Sequence, residues 1–158
     1  MHEVVEREVG AEHAVQHNRV GSRLDKRHAL VCADVKAFLA DQETALREPE
    51  AATASYDVII LDPPAFVKDR RKIKEGLVGY RRINEAALRL LPPGGILVTC
   101  SCSGHVSAAD FRHLLAECGG RTGRTIQILE SHGHGPDHPE LAPYTESAYL
   151  KTFICSVW

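Results

Sequence analysis

Residues 56–66, YDVIILDPPAF, run apolar from Val58 to Leu61 and then stop at a carboxylate followed by two prolines. An uninterrupted run of β-branched and aliphatic residues reads as a buried parallel strand, and Asp62 marks its end. The fixed φ of Pro63 and Pro64 then holds the chain in one shape, presenting a carboxylate and backbone carbonyls. Such a turn suits a flat, hydrogen-bonding substrate such as a base, with Phe66 available to stack. It equally suits an ordinary strand-terminating turn, because Asp-Pro is common in loops.

Outward from this turn, other short β-like runs alternate with helical patterns. HALVCAD (28–34) is a second apolar run ending at a carboxylate. RRINEAALRLL (81–91) puts Ile83, Ala86, Ala87, Leu90 and Leu91 on one helical face before PPGG stops it. GGILVTC is the next strand. SAADFRHLLAEC opens with Ser107 and Asp110 as a capping box, with Phe111, Leu114, Leu115 and Cys118 at helical spacing. RTIQILES and SAYLKTFICSVW follow without a helix between them, which predicts a terminal antiparallel pair. REPEAATAS (47–55) and SHGHGPDHPE (131–140) read as loops. The order is βαβαβαββ, an open α/β sheet. Ligands of such sheets sit beyond the carboxyl ends of the strands, which points to Glu6, Asp34, Asp62 and Cys102.

At 158 residues the chain is sized for one domain, 1–158, with a proper core. Its formal net charge of −2 gives no sign of a nucleic-acid or membrane partner. No apolar run is long enough for a bilayer, and MHEVVEREVG lacks the features of a signal peptide. The five cysteines, Cys32, Cys100, Cys102, Cys118 and Cys155, are odd in number. Reduced thiols and a cytoplasmic location are expected.

Two of those thiols stand one residue apart in LVTCSCSGH (97–105). Cys100 still belongs to the apolar strand and reads as a small core residue. Cys102 lies beyond it beside Ser103 and Gly104, where a thiolate is reachable. One loop, one helix and one strand fill the forty positions between Asp62 and Cys102. That is a single crossover, and consecutive parallel strands are usually neighbours, so the two residues are expected to face one pocket. Cys100, Cys102, His105, His132, His134 and His138 carry metal-ligating atoms, but C-x-C with scattered histidines is not structural zinc spacing. No metal is expected, and the histidines read as solvated loop residues.

After the double proline, VKDRRKIKEGLVGYRR (67–82) holds seven basic residues, Lys68, Arg70, Arg71, Lys72, Lys74, Arg81 and Arg82, against Asp69 and Glu75. A local excess beside a presumed pocket attracts phosphates, although charge runs are more often solvated faces.

Taken together, DPPAFVKDRRKIKEGLVGYRRINEAALRLLPPGGILVTCSCSG (62–104) resembles the class I S-adenosylmethionine-dependent methyltransferases that form 5-methylcytosine in bacterial 23S rRNA. The resemblance continues through DHP (137–139) and YLK (149–151). VEREVGAEHAVQHN (5–18) is similar to their second strand and following helix, with Asn18 closing the helix. It implies a Rossmann-like sheet, S-adenosyl-L-methionine as cofactor and RNA, 23S rRNA, as partner. By position it assigns Glu6 to the cofactor's ribose, the Ala33-Asp34-Val35 turn to its adenine, and Asp62, Pro63 and Pro64 to the target cytosine, with Asp62 also counted on the cofactor side. Phe66, Lys68, Arg70 and Arg71 complete the substrate side, and Cys102, not Cys100, matches the nucleophile.

The family's first strand, with its glycine-rich cofactor turn, and an amino-terminal RNA-binding module have no counterpart in these residues. The expectation is therefore a catalytic-domain fragment, Met1 being internal to a longer protein, that binds cofactor weakly by itself. Removing a central strand is expected to leave two backbone edges unpaired. Two rivals stand beside this reading. One is methylation of a ring or exocyclic nitrogen with Cys102 idle; the other is a non-catalytic remnant binding RNA or protein through residues 67–82.

Overall fold

The computed structural model describes residues 2–6, 28–47, 56–144 and 147–158. The chain divides into two compact units, Met1–Asp41 and Gln42–Trp158. In the first, strands β1 (His2–Glu6) and β2 (His28–Cys32) pair in parallel, in register from His2↔His28 to Glu6↔Cys32. The helix expected within 5–18, closed by Asn18, and nearly all of the expected loop 47–55 lie outside the described residues. Helix α1 (Val35–Ala45) begins directly after β2. Its first turn is capped by Asp34, whose Oδ1 accepts from the amides of Lys36 (3.0 Å) and Ala37 (3.2 Å).

The second unit is built on four strands: β3 (Val58–Leu61), β4 (Gly95–Ser101), β5 (Ile126–His132) and β6 (Lys151–Val157). Their order is β3-β4-β6-β5. β3 and β4 are parallel, and β4–β6 and β5–β6 are antiparallel, so the expected terminal hairpin is present. A bulge between Ile128 and Glu130 breaks the register of that hairpin and leaves Leu129 exposed.

Two helices join the strands. α2 (Ile73–Leu90) follows a 3-10 turn at Arg70–Lys72, whose entrance Asp69 caps through the Arg71 amide. It starts well before residue 81, so half of the basic stretch is helical. It ends where Gly94 adopts φ 85°, a conformation that favours glycine. α3 (Ala108–Thr122) opens with the capping box Ser107–Asp110 that the sequence predicts. The two hydrogen bonds from Ser107 hold the Asp110 carboxyl below its ordinary range.

β4 alternates buried Leu97, Thr99 and Ser101 with half-exposed Ile96, Val98 and Cys100. The buried face is tied to α2: Thr99 donates to Asn84 Oδ1 (2.8 Å), and Asn84 Nδ2 donates to the Tyr80 carbonyl (2.8 Å). An aromatic series crosses the core, Phe66–Tyr80 at 4.7 Å between ring centres, Tyr80–Phe111 at 5.5 Å and Phe111–Phe153 at 5.7 Å. β3 departs from the reading of a strand buried on both faces. It is an edge of its sheet, and Val58 and Ile60 are 52 % and 67 % exposed. Among the described residues no further strand pairs with this apolar edge.

Candidate functional site

The parallel pairing of β3 with β4, in register at Leu61↔Thr99, carries Asp62 and Cys102 to the same end of the sheet. Each lies just past its strand. Cys102 is half-buried, and its Sγ donates to the Pro63 carbonyl oxygen at 3.7 Å. Asp62 and Pro64 are exposed and Pro63 is half-buried. The double-proline turn and the second cysteine, forty positions apart in sequence, thus form one surface. The elements responsible are ordinary: one crossover helix and two neighbouring strands.

Ser103, the residue after the candidate nucleophile, is fully buried and ties three segments to that loop. Its Oγ accepts from the Val67 amide (3.1 Å) and shares a hydrogen bond with the Tyr80 hydroxyl (2.9 Å). Its carbonyl accepts from Lys151 Nζ at 2.6 Å, and that ammonium also donates to the Tyr149 carbonyl at 2.7 Å. Lys151 is only 7 % exposed. Burial lowers its pKa, while the negative charge available at Cys102 and Asp110 pulls the other way. Sequence spacing could not have found Ser103 and Lys151 as partners. The antiparallel register Ser101↔Lys151 brings them together.

The two thiols of LVTCSCSGH separate. Cys100 lies on the less covered face of β4 and is half-buried, which corrects its reading as core. Its Sγ shares a hydrogen bond with Thr152 Oγ1 (3.4 Å), and burial pushes its pKa up. Among the described residues the thiols within the core are Cys118 and Cys155. Among the described residues no three His, Cys, Asp or Glu side chains gather as a metal would need. His132 and His138 are exposed beside Glu130 and Asp137. His134 corrects the reading of the histidines as solvated, since its side chain is 5 % exposed. The ring lies edge-on to Tyr149 and accepts from the Leu150 amide.

Phe66 and the basic residues fall into distinct groups. Phe66 is half-buried against Tyr80, and a side chain at Gly79 would run into its ring at 3.0 Å. Glycines at 76 and 79 together let α2 approach the turn, since a Cβ at Gly76 would lie 2.9 Å from the Phe66 carbonyl oxygen. Lys68, Arg70, Lys72, Lys74 and Arg82 are exposed and form no ion pair among the described residues. Arg71 is paired with Asp69 (2.8 Å) and holds that carboxyl below its usual range; Arg81 is paired with Glu117 (2.8 Å).

Glu6 and Asp34, two of the residues expected on the cofactor side, belong to the first unit. Register Glu6↔Cys32 puts the ends of β1 and β2 level, so Glu6 and the Ala33-Asp34 turn lie at one carboxyl edge. A ligand lying across parallel strand ends fits that placement. Asp34 is exposed, with one carboxylate oxygen committed to capping α1.

No protein-family model matches the chain. It is 40 % identical over 112 residues to the ribosomal RNA large subunit methyltransferase I of Cronobacter sakazakii, a match covering 71 % of this chain and 28 % of that protein. It is 43 % identical over 102 residues to the protein of the same name from Salmonella arizonae, covering 65 % and 25 %. The chain therefore spans about a quarter of the length of these relatives. In fold it is similar to a Streptococcus mutans protein described as a SAM-dependent methyltransferase, with TM-score 0.63 and 22 % identity. That match covers 82 % of this chain and 31 % of the other. Archaeal NSun6 from Pyrococcus horikoshii aligns with TM-score 0.50 and 18 % identity, over 82 % and 34 %. The fold class is the Rossmann-like α/β sheet of the SAM-dependent methyltransferases. By resemblance in sequence and fold the chain is methyltransferase-like.

Proposed function

We propose that this chain carries the nucleophile-bearing part of an S-adenosylmethionine-dependent RNA methyltransferase that forms 5-methylcytosine in 23S rRNA through a Cys102 adduct. One observation carries the reading: the Cys102 thiol rests against the Pro63 carbonyl of the Asp-Pro-Pro turn. The names of the relatives, ribosomal RNA large subunit methyltransferase I, support the substrate class.

Carbon 5 of cytosine is a poor nucleophile, and this explains why a thiol belongs beside a base-binding turn. The Cys102 thiolate adds to carbon 6, forming an S–C bond and moving the ring's electron pair toward carbon 5, which becomes enamine-like. Asp62 hydrogen-bonds the N3/amino edge of the ring, where charge develops on addition. S-adenosylmethionine, when bound, supplies an electrophilic methyl group. Loss of the carbon-5 proton and elimination of the thiolate then release Cys102. Glu6 and Asp34 are the residues that would hold the cofactor's ribose and adenine. Phe66, Lys68 and Arg70 would face the RNA, while Arg71 does so only by leaving Asp69.

The finer reading, of a catalytic-domain segment that works with a further glycine-rich strand, is supported by the apolar edge of β3 at Val58 and Ile60. The family's first strand would pair there.

RNA carrying 5-fluorocytosine tests the chemistry, because fluorine at carbon 5 blocks elimination. With cofactor and the longest natural form of the protein, a covalent adduct is expected that Cys102→Ser abolishes and Cys100→Ser keeps. No adduct with either cysteine present would favour methylation of a nitrogen.

A further inference from the structure

We infer that Lys151 is a positioning residue for Cys102: its ammonium, buried against the loop after β4, fixes the backbone that carries the thiol and sets a positive charge beside it. The inference rests on the reading of Cys102 as the nucleophile.

A buried lysine is an expensive way to hold two carbonyls. Desolvating an ammonium costs far more than burying a neutral donor, and Lys is almost never fully buried without a partner. Here the partners are the carbonyls of Ser103 (2.6 Å) and Tyr149 (2.7 Å), and neither is charged. The third N–H has no protein acceptor among the described residues. A strand needing only packing at this position would be served by Thr, Val or Ile, as at neighbouring Thr152 and Ile154. What the ammonium adds is charge and a fixed loop. Ser103 follows the nucleophile directly, so a bond to its carbonyl fixes the Ser103–Gly104 peptide and restrains the loop one residue past Cys102.

The charged groups around the ammonium come from two elements. Cys102 stands in the loop after β4, and Asp110 stands in the first turn of α3. Asp110 is already committed to the capping box, accepting from the Ser107 amide (3.0 Å) and hydroxyl (2.6 Å). That leaves Cys102 as the group whose charge changes during the proposed reaction. A thiolate there is attracted by the ammonium, and elimination restores the same charge pair at the end of the cycle. Loop restraint and charge thus act on one atom.

The test is the pH profile of Cys102 alkylation by iodoacetamide, in the full chain with Cys32→Ser and Cys100→Ser, so that Cys102 is followed beside the buried Cys118 and Cys155. Lys151→Met is expected to move the profile toward higher pH and to slow alkylation near neutral pH by roughly 3- to 10-fold, tenfold corresponding to one unit. Lys151→Arg, which keeps the charge, is expected to restore the parent profile. Ser103→Ala, which loosens the same loop with the ammonium intact, should change reactivity at every pH without displacing the profile. A folded Lys151→Met chain with the parent profile overturns the inference. Should that variant not fold, the reciprocal measurement needs no mutation at Lys151. The NMR titration midpoint of the Lys151 side chain must fall once Cys102 is alkylated, and an unchanged midpoint overturns the inference. Alkylation involves no RNA, so a missing 5-fluorocytosine adduct beside a displaced profile would reject the proposed function and leave the Lys151–Cys102 coupling standing.

Discussion

Cys102 Sγ lies 3.7 Å from the Pro63 carbonyl oxygen, so the loop after β4 rests on the turn after β3. A thiol–carbonyl contact is too weak to hold two loops together. The neighbouring Ser103 does so, with its Oγ bonded to the Val67 amide and the Tyr80 hydroxyl. Ser103→Ala orphans both, at about 1–3 kcal/mol for each buried group left unpaired. Urea denaturation is expected to show that loss, and Cys102 alkylation to change in level. A variant as stable as the parent would show that water replaces the serine and that the clamp is unimportant.

A second buried pair sets how α2 sits on β4. Asn84 and Thr99 are both fully buried, and each completes the other. Thr99→Val removes the donor and leaves Asn84 Oδ1 without it, costing about 1–3 kcal/mol. Asn84→Leu alone strands the threonine hydroxyl. The double variant, apolar on both sides, is expected to cost less than the sum of the single changes. Strict additivity in denaturant midpoints would mean that the hydrogen bond contributes nothing.

These residues also mark what the sequence could reveal. Helical spacing and the capping residues of α3 were legible because they are local, and the β5–β6 pair was legible from the missing helix between them. The placement of Asp62 and Cys102 at one end of the sheet followed from a single crossover. Ser103, Tyr80 and Lys151 were not legible as a group, since their contacts span 23 to 48 positions and depend on antiparallel register. β3 misled for a different reason. VIIL describes a strand made for burial on both faces, yet among the described residues its edge is uncovered.

Alkaline solution should unfold the chain by a route that can be traced. Burial pushes the Cys118 and Cys155 thiols from 9.0 up to about 12 and about 11. Below pH 9 both states hold these protons and the stabilisation is fully present. Above it the unfolded chain ionises while the native state does not, so stability falls as pH rises toward 11–12, by at most about 1.4 kcal/mol per unit for each thiol. Lys151 acts oppositely, because its native pKa lies below 10.5 and stability rises with pH between the two values. Cys100, whose pKa burial also raises, acts in the same direction as the two core thiols, and together they outweigh one amine. Denaturation between pH 8 and 11 should show a net decline that Cys118→Ala makes shallower, even though losing the buried sulfur lowers its stability at pH 8. Equal slopes in the two chains would remove Cys118 from the explanation.

The pairing of Arg71 with Asp69 makes a sharper test of the basic stretch than deleting positive charges one by one. Lys68, Arg70 and Lys72 are exposed and unpaired among the described residues, whereas Arg71 spends its guanidinium on a carboxylate two positions away. If the stretch contacts RNA backbone, each free cation that meets a phosphate adds about 0.7 to the slope of log affinity against log salt for a single strand. Arg70→Ala is therefore expected to weaken binding and to flatten that slope by about that amount. Asp69→Asn removes the competing carboxylate and frees the exposed Arg71 guanidinium, so it should strengthen binding and steepen the slope. An exposed pair contributes little stability, and the substitution should leave folding nearly unchanged. Filter binding of a single-stranded RNA across a salt series separates the outcomes: weaker binding by Asp69→Asn would assign the carboxylate itself to the interface, and no response to either change would mean that the basic stretch is only a solvated face.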